Sequence, residues 1–144
     1  MTKYEFHASE FMTIREKELV LKSWIRFLKN GLRLQDFTNR LYQHLHLHCG
    51  FIAHYNRLGF YETYFTNGED TIKFLSRFDE RLPSGNGRLW TSGDYEDLAK
   101  AMMAVAAPYL PTLLEAAQGQ QRSADLAEAE RLAAKHGVEV HLTD

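Results

Sequence analysis

The segment from Gln43 to His54 contains four of the seven histidines and the only cysteine of the chain. Neutral imidazole is the commonest protein ligand for metals, and it is also the side chain whose charge changes most readily near pH 7. The segment therefore carries residue types suited to holding a divalent metal or to transferring protons. Which histidines can act together depends on the backbone, because sequence spacing fixes side-chain direction only within a helix or a strand.

Apolar residues recur at three- and four-residue spacing through this segment and predict one amphipathic helix over residues 37–58. Asp36 is placed to cap its start, and Gly59 is expected to end it. On such a helix His44 and His48 lie one turn apart and share a face. The helix therefore yields one pair of histidines that can act together.

A metal site built on this pair needs a further ligand from elsewhere in the chain. We predict His44, His48 and His54 as candidate ligands of a divalent metal, with His7 or a carboxylate such as Asp70 or Asp94 as alternatives to His54. A bound ion would generate hydroxide near neutral pH or polarise a phosphoryl oxygen. The competing hypothesis is that the pair belongs to the apolar stripe and serves as hydrogen-bonded core residues.

In a strand, the alternation over His44–His48 would place three histidines on one face. The triplet His44-Leu45-His46, or equally His46-Leu47-His48, then resembles the histidine–hydrophobe–histidine motif of the HUH single-strand nucleases. This resemblance implies a histidine pair that holds a divalent ion on a central strand, and a downstream tyrosine that attacks the DNA backbone. Positions 36–56 contain only Thr38 and Ile52 as β-branched residues and no turn between strands, so the sequence favours the helix.

A basic row lies on the predicted first helix, which we expect over Ser9–Lys29. Lys22, Arg26, Lys29 and Arg33 follow one another at intervals of four, three and four residues and therefore share one face. Such a row is suited to contacting nucleic-acid phosphates, with an affinity that falls as salt rises. The alternatives are a solvated outer face and ion pairing with the rest of the chain. The opposite face carries the apolar residues Leu21, Trp24, Ile25 and Leu28.

The net charge of −2 conceals an asymmetry between the two halves of the chain. Residues 1–60 contain nine Lys and Arg against five Asp and Glu, giving +4, whereas residues 61–144 contain eight against fourteen, giving −6. This complementarity predicts that the halves pack on each other, that two copies dock, or that the basic half meets an anionic partner.

Length and composition predict a single domain over residues 1–144. The chain is 44% hydrophobic and 25% charged, which is typical of a folded globular protein large enough for its own core. One cysteine excludes an internal disulfide, so nothing indicates an oxidising compartment. No apolar signal segment or membrane-length apolar window occurs, and we expect a cytoplasmic protein without a membrane partner.

We predict a mainly α fold, a helical bundle of about four to five helices. Later helices are expected to begin at Glu69, Asp94 and Ser123, with Gly119–Arg122 as a surface connection. Three short segments near residues 60–66, 88–91 and 138–142 have strand-like composition, which leaves room for a small β element of two or three strands. The first of them could instead form an extra helical turn. The last segment could instead pair with its copy in a second subunit and make a dimer.

The sequence contains no recognisable nucleophile motif, zinc-ligand signature or nucleotide-binding loop. The predicted function is therefore a small non-enzymatic binding or interaction module. Its expected partner is a protein, a second copy, or a nucleic acid held by the basic row. The alternative is a metal-dependent hydrolase or nuclease that acts on phosphate esters through the His44–His54 cluster. These two alternatives leave open whether the protein is an enzyme. The candidate cofactor is a divalent metal.

Overall fold

The described part of the chain is helical. The computed structural model describes residues 5–10, 12–48, 56–78 and 93–136. Its α-helices are α1 (Ile14–Lys29), α2 (Asn39–Gln43), α3 (Arg57–Tyr64), α4 (Gly68–Ser76), α5 (Glu96–Ala106) and α6 (Leu110–His136). Short 3₁₀ turns occur at Leu34–Asp36 and Gly93–Tyr95, and a π-helical turn over His44–His48 continues α2. These ranges contain no strand, so the prediction of a mainly helical fold is confirmed.

The predicted β element is not found in the residues that can be assessed. Residues 60–64 lie within α3, so the helical alternative holds there and the strand does not form. The segments 88–91 and 138–142 lie outside the described residues. The aromatic residues of α3 pack into the core, where Phe60 has no exposed surface and its ring centroid lies 5.4 Å from that of Phe37. Burial against other helices therefore outweighs the strand preference of aromatic side chains.

Helix α1 lies at the centre of the core. Its Trp24 side chain is fully buried and donates from Nε1 to the carbonyl of Met102 in α5 at 2.9 Å. The Trp24 ring also lies against Phe74 of α4 and Phe78, at centroid distances of 6.2 and 4.9 Å. One side chain thus ties α1 to two other helices. Aromatic pairs of this kind contribute about 0.5–1.5 kcal/mol each beyond the area they bury.

The start of α1 differs from the sequence prediction. Thr13 is the N-cap, and its hydroxyl accepts the backbone N–H of Glu16 at 3.1 Å. Ser9, the predicted cap, instead closes a turn in which its hydroxyl accepts the N–H of Met12 at 3.1 Å. Both residues are good capping types. Tertiary contacts of the preceding segment, where Phe6 is buried, decide between them.

The single helix predicted over residues 37–58 is wrong, because a second helix begins before its end. Thr38, rather than Asp36, caps α2, and its hydroxyl accepts the N–H of Leu41 at 3.1 Å. Asn56 caps α3, and its side-chain oxygen accepts the N–H of Gly59 at 2.7 Å. Gly59 therefore lies in the first turn of a new helix. The Asn56 cap starts α3 at a position where the apolar repeat continues without a break, so the repeat alone does not reveal the boundary.

Helix α6 continues through Gly119–Arg122, so the predicted connection there is wrong. A glycine inside a helix costs about 1 kcal/mol relative to alanine, and packing against α4 offsets that cost. The two helices cross at Gly68. A Cβ atom at Gly68 would overlap the carbonyl oxygen of Ala117 and would lie 2.8 Å from the backbone nitrogen of Gln121.

Two glutamine side chains fix this crossing. Gln121 accepts the backbone N–H of Glu69 at 2.9 Å, and Gln120 donates to the carbonyl of Thr66 at 3.3 Å. The N–H of Glu69 belongs to the first turn of α4, where backbone donors lack partners within their own helix. Residues that the sequence predicted as a surface connection therefore hold α6 against the start of α4.

Candidate functional site

The histidine segment forms the π-helical turn His44–His48. The side chain of His44 is only 2% exposed, and its ring meets Tyr95 edge-on at a centroid distance of 6.2 Å. His46 stacks on Tyr42, with centroids 5.6 Å apart and rings 7° from parallel. The helical backbone overturns the strand alternative and with it the central strand that the HUH resemblance implied. The two histidines contact different aromatic residues.

The predicted metal ligands are described only in part. His44 lies in the core, whereas the side chain of His48 and the whole of His54 lie outside the described residues. Within the ranges that the structure describes, no group of three or more His, Cys, Asp or Glu side chains is arranged to hold a metal ion. The three-histidine site therefore stays a prediction.

The substitution His44→Ala separates a core role from a ligand role. We expect it to lower the free energy of unfolding by about 2 kcal/mol, because it leaves a cavity in a packed interior. Denaturant unfolding should show the same loss with chelator and with added zinc. A loss that occurs only when metal is present would identify His44 as a ligand instead.

A groove of about 600 Å³ opens between α1 and the α2 segment, next to His44. Met12 and Leu47 contribute apolar wall, and Leu47 is 66% exposed. Arg40 and Gln43 contribute polar groups. A groove of this composition suits an amphipathic ligand.

Sequence reasoning missed Lys17, which forms a buried ion pair. Its side chain is 1% exposed, and Nζ donates to Asp97 Oδ1 at 2.9 Å and to the carbonyl of Asp94 at 2.8 Å. Asp97 also accepts the backbone N–H groups of His7 at 2.8 Å and Leu98 at 2.7 Å. The acidic first turn of α5 therefore binds an ammonium group. His7 and Asp94, predicted as alternative metal ligands, take part in this network through backbone atoms.

One sequence signal could have identified Lys17. It precedes Leu21 by four residues and Trp24 by seven, so it lies on the apolar face of α1 and not on its outer face. A lysine on a buried face needs a carboxylate or carbonyl partner. The ion pair joins the basic and acidic halves of the chain, in line with their complementary charge.

The basic row follows the outer face of α1 as far as Lys29, and its last member, Arg33, lies beyond the end of the helix. Lys22, Arg26, Lys29 and Arg33 are all exposed, as expected from their position opposite the buried stripe. Arg33 forms a salt bridge with Asp36 at 2.9 Å. Burial opposes ionisation of Asp36, but hydrogen bonds from Arg33 and Asn30 and the charges of Arg33 and Arg26 lower its pKa. One carboxylate therefore balances one end of the row.

The other three cations, Lys22, Arg26 and Lys29, have no carboxylate within 4.0 Å among the described residues. Three exposed cations on other helices are each paired with a carboxylate one turn away. These pairs are Lys73 with Glu69 at 3.4 Å, Lys100 with Glu96 at 3.0 Å and Arg131 with Glu128 at 2.6 Å. The outer face of α1 thus combines like charges one turn apart with a shortage of local counter-charge, which is unfavourable for an isolated helix.

No protein-family model, curated protein or solved structure shows significant similarity to this chain. Within the described residues, no helix is both long enough and apolar enough to cross a bilayer. The candidate sites therefore rest on geometry and charge.

Proposed function

We propose that this protein is a non-enzymatic binding module whose ligand is a nucleic acid, contacted by the outer face of α1. The observation that carries the proposal is the outward row Lys22, Arg26 and Lys29, three exposed cations about one turn apart that lack carboxylate partners in the described part of the chain. Proteins that neutralise phosphates gain affinity by releasing the counterions condensed on the nucleic acid.

The spacing of the row suits a phosphate backbone. With a rise of 1.5 Å per residue, the helix places Lys22 and Lys29 about 10 Å apart along its axis. Phosphates advance about 3.4 Å per nucleotide along each strand, so the row extends over roughly three of them. Lysine and arginine contacts to phosphates carry no base information. The proposed binding is therefore largely independent of sequence.

Contacts on the buried face of α1 hold the helix, and therefore its outer basic face, in a fixed position. Trp24 and Lys17 anchor the opposite side of α1 to α5 through the Met102 carbonyl and the Asp97 carboxylate. Beyond the end of the row, Arg57 is held by its hydrogen bonds to the carbonyls of Leu34 and Phe37, at 3.4 and 3.0 Å. Arg57 thus places a further cation beside Leu34, the residue that follows Arg33.

The test compares two triple variants with the same change in net charge. K22Q/R26Q/K29Q removes the row, and K73Q/K100Q/R131Q removes the three cations that already have carboxylate partners. Anisotropy of labelled mixed-sequence DNA measures affinity. For three phosphate contacts on duplex DNA, wild type should lose about 40-fold in affinity between about 50 and about 200 mM salt. Removing the row should weaken binding at low salt at least about tenfold and flatten the salt dependence.

The control variant should bind like wild type. Equal affinity and equal salt dependence for the two triple variants would exclude the row as the contact surface. Failure of the wild-type protein to bind either single-stranded or duplex DNA or RNA at low salt would exclude a nucleic acid as the ligand.

A further inference from the structure

The last part of α6 extends beyond the helices on which its first part packs. From Arg122 to Lys135 every residue is exposed except Ala129 and Ala133, which are half-buried. This segment is about 20 Å long. It carries two large apolar side chains, Leu126 and Leu132, each 41% exposed. The contacts of α6 with α4 described above end at Gln121, so this segment has the exposure of a projecting arm.

The apolar residues of the arm lie on one side of the helix. At 100° per residue, Leu126, Ala129, Leu132 and Ala133 fall within about 120° of the helix circumference. The two leucines flank Ala129 at equal distances of three residues along the chain. A small residue between two large ones allows another helix to approach closely at that point and to pack between the leucines.

We infer that this arm binds the same segment of a second copy of the chain, with the two helices antiparallel and centred on Ala129. A twofold axis at that residue places Leu126 of each copy at the same level along the helix axis as Leu132 of the other, because both lie three residues from the centre. The face is thus complementary to itself, as a symmetric dimer requires. This inference is independent of the proposed nucleic-acid binding.

Two charged residues fit the same arrangement: Asp125, which lies within this sector between Ala129 and Leu132, and Lys135, which lies beside it. In the antiparallel pair, Asp125 of one copy and Lys135 of the other lie on the same flank and about 3 Å apart along the axis. The twofold axis repeats this pair, giving two ion pairs. Lys135 has no salt bridge within the described part of its own chain, and Asp125 accepts only the Gln121 side chain, at 3.0 Å. Opposite charges at these positions favour the antiparallel register.

The size of the arm sets the expected strength of the dimer. Two helical segments of this length bury less than the roughly 1,200 Å² of a standard stable interface. Sedimentation equilibrium should therefore show a reversible dimer whose population grows with protein concentration. L126E/L132E should raise the dissociation constant at least about tenfold. The matched control is A124E/A127E, which adds the same charge to the other side of the same exposed helix.

The register has its own test. D125K should weaken the dimer, and D125K/K135D should restore it, because the reversed charges again face each other. In a Cys49→Ser background, A129C should form an intermolecular disulfide on oxidation and A124C should not, since a disulfide needs Cα atoms within about 7 Å.

A wild-type protein that stays monomeric at all concentrations would overturn the inference. Equal dissociation constants for L126E/L132E and A124E/A127E would also overturn it, as would failure of D125K/K135D to restore association. Circular dichroism of each variant distinguishes lost association from lost helix.

Discussion

The Gly68→Ala variant is expected to have a free energy of unfolding about 3 kcal/mol below that of wild type, near the upper end for overpacking. The added methyl group would overlap the carbonyl oxygen of Ala117 and come within 2.8 Å of the Gln121 nitrogen. Both atoms are helix backbone and cannot move without shifting α6. The helices must separate, which also strains the hydrogen bond from Glu69 to Gln121.

Urea denaturation followed by circular dichroism measures this loss, and a melting temperature lower by roughly 10 °C should accompany it. Gly119→Ala is the matched control, because it makes the same substitution inside α6. There the nearest atom to the new Cβ is the terminal nitrogen of Arg122, at 3.7 Å. The control should gain about 0.5–1 kcal/mol from improved helix propensity. Equal stability of both variants would show that α4 and α6 do not cross closely at Gly68.

Asp97→Ala should cost about 3 kcal/mol of unfolding free energy, because it leaves the buried Lys17 ammonium without its carboxylate. Lys17 is 1% exposed and would keep only the Asp94 carbonyl as an acceptor, at 2.8 Å. The backbone N–H groups of His7 and Leu98 would also lose their acceptor. The Asp97 carboxylate thus accepts hydrogen bonds from an ammonium group and from the backbone of two segments of the chain.

The same carboxylate makes stability depend on pH. Partial burial opposes ionisation of Asp97, but the hydrogen bonds from His7, Lys17 and Leu98 together with the Lys17 charge lower its pKa below the ordinary value of 3.8. The unfolded chain therefore binds a proton at higher pH than the folded one. The stabilisation is fully present above the ordinary aspartate pKa and is lost as the pH falls through the lower folded value. Asp97→Ala should remove this part of the acid dependence.

Two variants separate the buried pair from surface charge effects. Glu96→Ala removes the adjacent carboxylate, whose pair with Lys100 is exposed, and should cost no more than about 0.5 kcal/mol. Lys17→Met keeps most of the buried volume and leaves Asp97 partly exposed with two backbone donors, so it should cost less than half as much as Asp97→Ala. Similar small losses for Asp97→Ala and Glu96→Ala would show that the pair contributes little.

Local signals predicted the elements better than their boundaries. The apolar stripe of α1 correctly predicted that Leu21, Trp24 and Leu28 are buried and that the basic row opposite them is exposed. The boundaries failed where two good capping residues lie near each other, as with Ser9 and Thr13. Capping energies of different residues differ by only about 1 kcal/mol, so tertiary contacts decide which one starts the helix.

The candidate sites divide in the same way. The exposure of Lys22, Arg26 and Lys29 could be predicted from spacing, because one helix suffices to place these three charges. A metal site needs side chains from several elements of the fold. The sequence could not show that His44 packs against Tyr95, because the two residues are far apart in the chain. The self-complementary arm of α6 escaped prediction because a break was expected at Gly119.

By itself, the sequence determined the helical class of this protein and the outward row on α1. The 3.6-residue repeat of apolar side chains that indicates both is visible within one or two helical turns. Only the tertiary structure decided the burial of Lys17, the close crossing at Gly68 and the continuity of α6. Each of these depends on a partner distant in the chain: the Asp97 carboxylate, the Ala117 carbonyl and the α4 surface. Local periodicity carries no information about such partners, since packing between helices brings them together.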